Sequence, residues 1–250
     1  MSHSSILVFG GSGKVSRRLT PLLVSAGYTL YSIIRNPDQS DSIRSLGAKP
    51  IVQSIETSSV TDLVATIKSV APKAIVWSAG AGGGDPSRTD AVDRKGAIKG
   101  MDAAAEAGVK RFVIVSALDV RDRSRPAPDW YNENDLKTSE RVWGAIKPYM
   151  EAKFDADRSL VEENSRRGLD YTIVRPGRLL DEDGVSKVDA GKVHLGKGVS
   201  REDVARVVVE CLKTEGTIGM AFDVVGGDIE VADAVSKVVE KKEDCFERYH

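Results

Sequence analysis

Ile6-Leu7-Val8-Phe9-Gly10-Gly11-Ser12-Gly13-Lys14-Val15-Ser16-Arg17-Arg18 reads as a short apolar strand that runs into a glycine-rich turn and then a helix. Consecutive apolar residues with no polar alternation fit a strand covered on both faces. Gly10 permits the tight turn, and Gly13 lets the backbone approach a phosphate with no side chain in the way. Ser16 is a small substitute where a third glycine would allow close helix–strand packing. The pattern Gly-x-x-Gly-x-x-Ser departs from the full dinucleotide fingerprint, but the strand before it and the amphipathic helix after it supply the required context. Backbone N–H groups and a helix N-terminus then face the place where a pyrophosphate would sit.

Outward from this turn, apolar β-branched runs alternate with helical stretches almost to the end. Strands are predicted over 6–9, 29–34, 49–52, 74–78, 111–115, 171–174 and 221–225, and helices over 14–26, about 58–69, 93–107, 149–167 and 202–212. That alternation is the signature of βαβ units, so the predicted fold is a doubly wound parallel α/β sheet, a Rossmann fold, in one domain. Gly27 and Gly108 stand where a helix end wants a left-handed residue. Pro148 suits a first helical turn, and Ser200 with Asp203 resembles a capping box. Two segments break the rhythm, 118–139 and 179–199; both follow strand ends and so belong at the ligand-bearing edge of the sheet. The second of them and the last helices are expected to form a small substrate region.

With 250 residues and 41% hydrophobic side chains, the chain can bury a full core as one domain or at most two. A formal net charge of −1 argues against a polyanion-binding surface, which removes nucleic acid as an expected partner. Cys211 falls in an apolar helical run and reads as core; Cys245 lies in a charged tail and reads as a free thiol. No metal-ligand spacing is present. His194 has no carboxylate near it in sequence and reads as structural. No apolar run reaches membrane-span length, and Met1-Ser2-His3-Ser4-Ser5 leads directly into a strand without a signal peptide. The expectation is a soluble cytoplasmic protein, monomeric or homodimeric, acting on a small molecule.

Arg35 follows the second strand, about twenty residues past the glycine turn, where an NAD-selective protein usually carries Asp or Glu for the ribose hydroxyls. An arginine there pairs instead with a 2′-phosphate, and Lys14 and Arg17 could add positive charge nearby, so the cofactor predicted is NADP(H). Ser54, at the end of the third strand, would face the adenine. The small residues of Trp77-Ser78-Ala79-Gly80-Ala81-Gly82-Gly83-Gly84 would let the backbone pass close to a ribose. Trp130, Tyr131 and Trp143 would either wall the nicotinamide or anchor their loop.

With these residues placed, the chain resembles the atypical short-chain dehydrogenase/reductases of the NAD(P)H-binding, NmrA-like group, which includes biliverdin IXβ/flavin reductase-like proteins. The resemblance rests on the glycine turn, Ala79-Gly80-Ala81-Gly82, Ala107-Gly108-Val109-Lys110-Arg111-Phe112-Val113, Val115-Ser116-Ala117 and Tyr171-Thr172-Ile173-Val174-Arg175-Pro176-Gly177. It implies pyrophosphate contacts from Gly10, Ser12, Gly13, Lys14 and Val15, and a ribose-phosphate contact from Arg35. It also implies packing of Ala79 and Gly80 on the nicotinamide-side ribose, with Pro176 and Gly177 bordering the nicotinamide. Tyr149-Met150-Glu151-Ala152-Lys153 matches the superfamily's Tyr-x-x-x-Lys pattern, whose members lie one helical turn apart on one face. A nearby ammonium lowers the phenol pKa, so Tyr149 could exchange a proton with a carbonyl oxygen while Lys153 also holds the ribose. Ser116 resembles the serine that hydrogen-bonds the substrate oxygen. Asp93 stands where some relatives carry an asparagine of the proton relay. The leading expectation is an NADPH-dependent reductase of a small carbonyl, quinone or flavin-like acceptor. The others are a non-catalytic NADP(H)-binding redox sensor and a sugar-nucleotide epimerase- or dehydratase-like enzyme.

Overall fold

Ile6 and Val8 enter one hydrophobic cluster and Leu7 and Phe9 another, because helices cover both faces of the sheet into which this strand is built. The computed structural model describes residues 4–82 and 85–246. Met1-Ser2-His3, and Gly83 and Gly84 of the small-residue stretch, lie outside the described residues. The strands are β1 (Ser5–Phe9), β2 (Thr29–Ile34), β3 (Lys49–Val52), β4 (Ala74–Trp77), β5 (Arg111–Val115) and β6 (Asp170–Pro176), then β7 (Arg178–Leu180), β8 (Lys187–Gly191), β9 (Gly198–Ser200), β10 (Met220–Gly226) and β11 (Ile229–Glu230). The helices are α1 (Lys14–Ser25), α2 (Ser40–Ser45), α3 (Val60–Val70), α4 (Pro86–Thr89) and α5 (Lys95–Glu106), then α6 (Glu133–Glu162), α7 (Asn164–Arg167), α8 (Arg201–Lys213) and α9 (Val231–Lys241). A π-helical turn, Asp90–Arg94, joins α4 to α5.

Among the described residues the main sheet runs β11-β8-β10-β6-β5-β4-β1-β2-β3. Every pairing from β3 through β10 is parallel, and β8 alone runs antiparallel to its neighbours β10 and β11. The chain therefore winds outward in one direction to β3 and in the other from β4, as predicted, and the crevice opens between β1 and β4. Helices α1, α8 and α9 cover one face; α3, α5 and α6 cover the other. Gly10 takes φ +78°, and a Cβ there would lie 2.5 Å from the Ala79 Cα, so the turn closes against the β4 backbone only with glycine.

The departures from the sequence reading have local causes. The polar stretch predicted as loop up to Ser139 turns helical at Glu133, because the Asn132 side chain accepts from Asn134 and Asp135 N–H and Asp135 caps Asn132 in return. The α6 helix is broken at Ile146 (φ −133°, ψ 34°) just before Pro148, so the predicted start near Tyr149 survives as its second half. The 179–199 segment is not a plain loop: β7 pairs with β9, and β8 joins the main sheet. Cys211 is buried as predicted, and Cys245 is a free thiol as predicted but buried rather than part of a charged tail. Its N–H donates to Ala221 O, its Sγ bonds Gly191 O, and Phe246 packs beside Phe154.

Candidate functional site

At the carboxyl ends of β1, β2, β4 and β5 lies a cleft of about 1070 Å³, slightly above the usual range for small-ligand sites. Gly10, Ser12, Gly13, Lys14, Val15, Arg35, Ala79, Gly80, Ser116, Tyr149 and Lys153 all line it, so one cavity collects most of the residues singled out in the sequence. Gly13 is the N-cap of α1 and has no side chain to bond the first-turn N–H groups, which leaves that end open toward an anion. A Cβ on Gly13 would stand 3.1 Å from Gly10 O, so the turn is tightly folded as well as bare. These features fit the pyrophosphate of a dinucleotide.

Other expected contacts are placed differently. Ser54 does not line the cleft; Gln53, Ile55 and Glu56 do, because the chain turns at Ser54, whose O accepts from Ser58 N–H. Pro176 and Gly177 also stand outside the lining: Pro176 O accepts from Leu118 N–H and Gly177 N–H donates to Val224 O, which ties both into the sheet edge, and Leu179 reaches the cleft instead. Arg17 bonds Ser42 Oγ, away from the cleft. Lys14 pairs with Asp181 at 2.8 Å, and Arg201, at the start of α8, pairs with the same carboxylate. Arg35 bonds Glu56 Oε1 at 2.8 Å, and Arg88, which the sequence reading had not marked, reaches the same oxygen at 3.1 Å.

The second half of α6 presents Tyr149, Lys153 and Asp157 at successive turns. Lys153 is buried, donates to Val115 O at 3.1 Å, and pairs with Asp93 at 3.3 Å. Asp93 sits in the π-helical turn and also accepts from Ala81 N–H, so it fastens the lysine to the β4 loop. The Lys153 Nζ lies 5.9 Å from the Tyr149 ring centre. Burial pushes the Tyr149 phenol up; Lys153 pulls it down, but Asp93 and Asp157 add to the rise. The expected lowering by lysine is therefore present but outweighed, and the resting group is the neutral phenol. Burial opposes the Lys153 charge, yet Tyr149, Asp93 and Asp157 carry its pKa above the usual lysine value.

Ser116 Oγ donates to Asp157 Oδ2 at 2.6 Å. Burial pushes the Asp157 carboxyl up to about 6, against the pull of Ser116, Arg175 and Lys153. Arg175 is itself buried, pairs with Asp223 at 3.0 Å, and donates to Val120 O and Cys245 O. Sequence reading missed Asp157, although its spacing of four beyond Lys153 puts it on the same helical face. Arg175 was visible only as part of the Tyr171–Gly177 motif, one residue past the predicted strand.

The three aromatic candidates are absent from the cleft lining. Trp143 Nε1 donates to Asp119 and Tyr131 Oη to the same carboxylate, so they anchor the loop before α6. His194 does have a carboxylate partner: its Nδ1 lies 2.7 Å from Asp135 Oδ2, brought close by the fold from 59 positions away. Among the described residues no cluster of His, Cys, Asp or Glu has the makings of a metal site, and no helix is long and apolar enough to cross a membrane.

The family model described as NAD(P)H-binding matches residues 10–215, from the glycine turn to just past α8. The chain belongs to that NAD(P)H-binding family. It is similar to a UPF0659 protein of Schizosaccharomyces pombe, 36% identical over 96% of this chain and 97% of that one. It is also similar to the uncharacterized sugar epimerase YhfK of Bacillus subtilis, 35% identical over 93% and 99%. Among solved structures, the oxidoreductase YlbE of Lactococcus lactis superposes with a TM-score of 0.77 at 26% identity, over 94% of this chain and 97% of that one. An NAD(P)H-binding family agrees with the nicotinamide cofactor implied by the resemblance drawn from the sequence.

Proposed function

We propose that this protein is an NADPH-dependent reductase of a small carbonyl, quinone or flavin-like acceptor. The observation that carries the reading is that Tyr149, Lys153 and Ser116 open into the same cleft as the bare phosphate turn. When bound, the reduced nicotinamide supplies the hydride. Gly10, Ser12, Gly13, Lys14 and Val15 hold the pyrophosphate, Ala79 and Gly80 pack on a ribose, and Arg35 meets the 2′-phosphate. Tyr149, kept neutral by burial, gives its proton to the acceptor oxygen as that oxygen gains charge. Lys153 stabilises the phenolate left behind, and its bonds to Val115 O and Asp93 keep it from swinging away. Ser116 meets the acceptor oxygen by turning to it the O–H that rests on Asp157, or by keeping that O–H free while a protonated Asp157 donates to Ser116 Oγ.

A dinucleotide fills most of a cleft of about 1070 Å³, which leaves space for a small acceptor beside Ile146, Pro148 and Leu179. From the substrate side expected over 179–199 and the last helices, Leu179 and Arg201, at the start of α8, reach the cleft. The test is to mix the protein with NADPH and a panel of flavins, quinones, aldehydes and ketones while following nicotinamide absorbance and fluorescence. Binding with oxidation by one class of acceptor supports the reductase and names the acceptor. Binding without oxidation of NADPH by any of them favours the redox sensor. A second reading, epimerase chemistry on a sugar, is favoured by the description of the Bacillus subtilis relative. It would use the same Tyr149–Lys153 pair and show turnover of a sugar nucleotide with no net consumption of NADPH.

A further inference from the structure

Two guanidiniums converge on one carboxylate oxygen at the far end of the cleft from Tyr149. Arg35, from the end of β2, and Arg88, from α4, both bond Glu56 Oε1, at 2.8 and 3.1 Å. All three residues line the cleft. Glu56 is held on a braced turn: Lys99 of α5 donates to Ile55 O at 2.8 Å and Ser58 O at 2.6 Å, on either side of it. The approach of α5 to that turn is close, since a Cβ on Gly96 would lie 2.7 Å from Ile55 Cγ2. Arg88 is steadied by a bond to Ala81 O at 2.7 Å.

A carboxylate between two arginines is the arrangement a phosphate monoester would make with the same pair. We propose that Glu56 is an internal stand-in for the 2′-phosphate and sets how strongly the protein prefers NADP(H) to NAD(H). The proposal rests on the dinucleotide reading of the cleft. A 2′-phosphate carries about −1.5 to −2 charges at neutral pH and must displace Glu56 from Arg35 and Arg88, whereas a 2′-hydroxyl can donate to Glu56 where it stands. Arg35 alone therefore does not decide the cofactor: the pair of arginines attracts the phosphate, Glu56 competes with it, and the outcome is a moderated preference.

The test is calorimetric binding of 2′,5′-ADP and 5′-AMP, which differ only in the 2′-phosphate, to the wild type, Glu56→Gln and Arg88→Ala. Glu56→Gln removes the competing charge and is expected to tighten 2′,5′-ADP about tenfold with 5′-AMP changed less than about twofold. Arg88→Ala is expected to weaken 2′,5′-ADP about tenfold and leave 5′-AMP nearly unchanged. An unchanged ratio of the two affinities in Glu56→Gln would overturn the proposal, as would equal weakening of both nucleotides, which marks a merely structural turn residue. The ratio in the wild type tests the NADP(H) preference separately: a ratio near one that rises in Glu56→Gln supports the role of Glu56 while refuting strict NADPH use. Failure of both nucleotides to bind any of the three proteins would overturn the dinucleotide reading itself.

Discussion

Replacing Asp157 by asparagine should alter the pH dependence of stability in a way its contacts make calculable. Folding moves the Asp157 carboxyl from its ordinary value of 3.8 to about 6, mainly through burial. The folded state therefore holds more protons than the unfolded state between those values, and wild-type stability falls as pH rises through that window. A shift of about two units corresponds to about 3 kcal/mol in full, of which about 2 kcal/mol develops between roughly pH 4.5 and 8. Asparagine keeps the acceptor for Ser116 but does not ionise. Its amide group would stand where Asp157 Oδ1 has no hydrogen-bond partner, near the Arg175 charge, at a cost of about 1–3 kcal/mol that does not depend on pH. The difference between the proteins is thus an offset plus a slope, and the slope is the test. Urea unfolding followed by tryptophan fluorescence, with matching m-values, should show Asp157→Asn gaining about 2 kcal/mol on the wild type from pH 4.5 to pH 8. A difference that stays flat across that range would refute the assignment of a raised carboxyl pKa and the account of Ser116 built on it.

Gly10→Ala should cost about 2–4 kcal/mol, from the positive φ and the 2.5 Å approach to Ala79 Cα, lowering Tm by roughly 4–15 °C. Gly108→Ala, with φ +80° and nothing within 4 Å of the added Cβ, should cost only about 1 kcal/mol; equal losses in a thermal melt would show that the close approach is not what demands glycine at position 10. Tyr149→Phe should lower turnover on the acceptor found by the panel by about 100-fold or more while dinucleotide affinity stays within about twofold, and undiminished turnover would remove Tyr149 from the chemistry. Lys153→Met would leave the buried Asp93 without its cation and should destabilise by about 3–5 kcal/mol, whereas Lys153→Met combined with Asp93→Asn should recover part of that loss in the same urea assay.

The fold was legible because its signals are local. The strand at 6–9 is apolar on both faces, Gly10 is required by a single turn, and β2, β3 and β5 begin and end where their β-branched runs do. The missed elements depend on partners distant in sequence. The start of α6 was hidden in a polar stretch whose capping residues look like any loop, and Cys245 reads as tail until Ala221 and Gly191 are seen beside it. The same division holds in the cleft. The residues of the glycine turn are neighbours in sequence, so Gly10, Ser12, Gly13, Lys14 and Val15 line the cleft together. Glu56 and Arg88 stand 32 positions apart and are joined only by the packing of α5 and the β3–α3 turn, which no spacing rule encodes. Ser54 failed for a related reason: a turn at that residue decides which of four neighbours faces the cleft, and sequence does not reveal its rotation.

The buried polar groups around Tyr149 explain how a kinked helix can hold a side chain in register with the cleft. Below the break at Ile146, α6 is fixed by contacts at two successive turns: Lys153 to Val115 O and Asp93, and Asp157 to Ser116. Both lead to the end of β5, one to its last carbonyl and one to the residue that follows. Rotating the helix by even one residue's angle would strand an ammonium and a carboxylate in a region where water does not reach them, a penalty of several kcal/mol for each. Apolar packing alone tolerates such slips, because one aliphatic contact replaces another at little cost. The charges therefore set the rotation and the hydrophobic face supplies the stability. Tyr149, one turn before Lys153, inherits its direction from both, which is how a residue lining the cleft is aimed by the buried groups beside it.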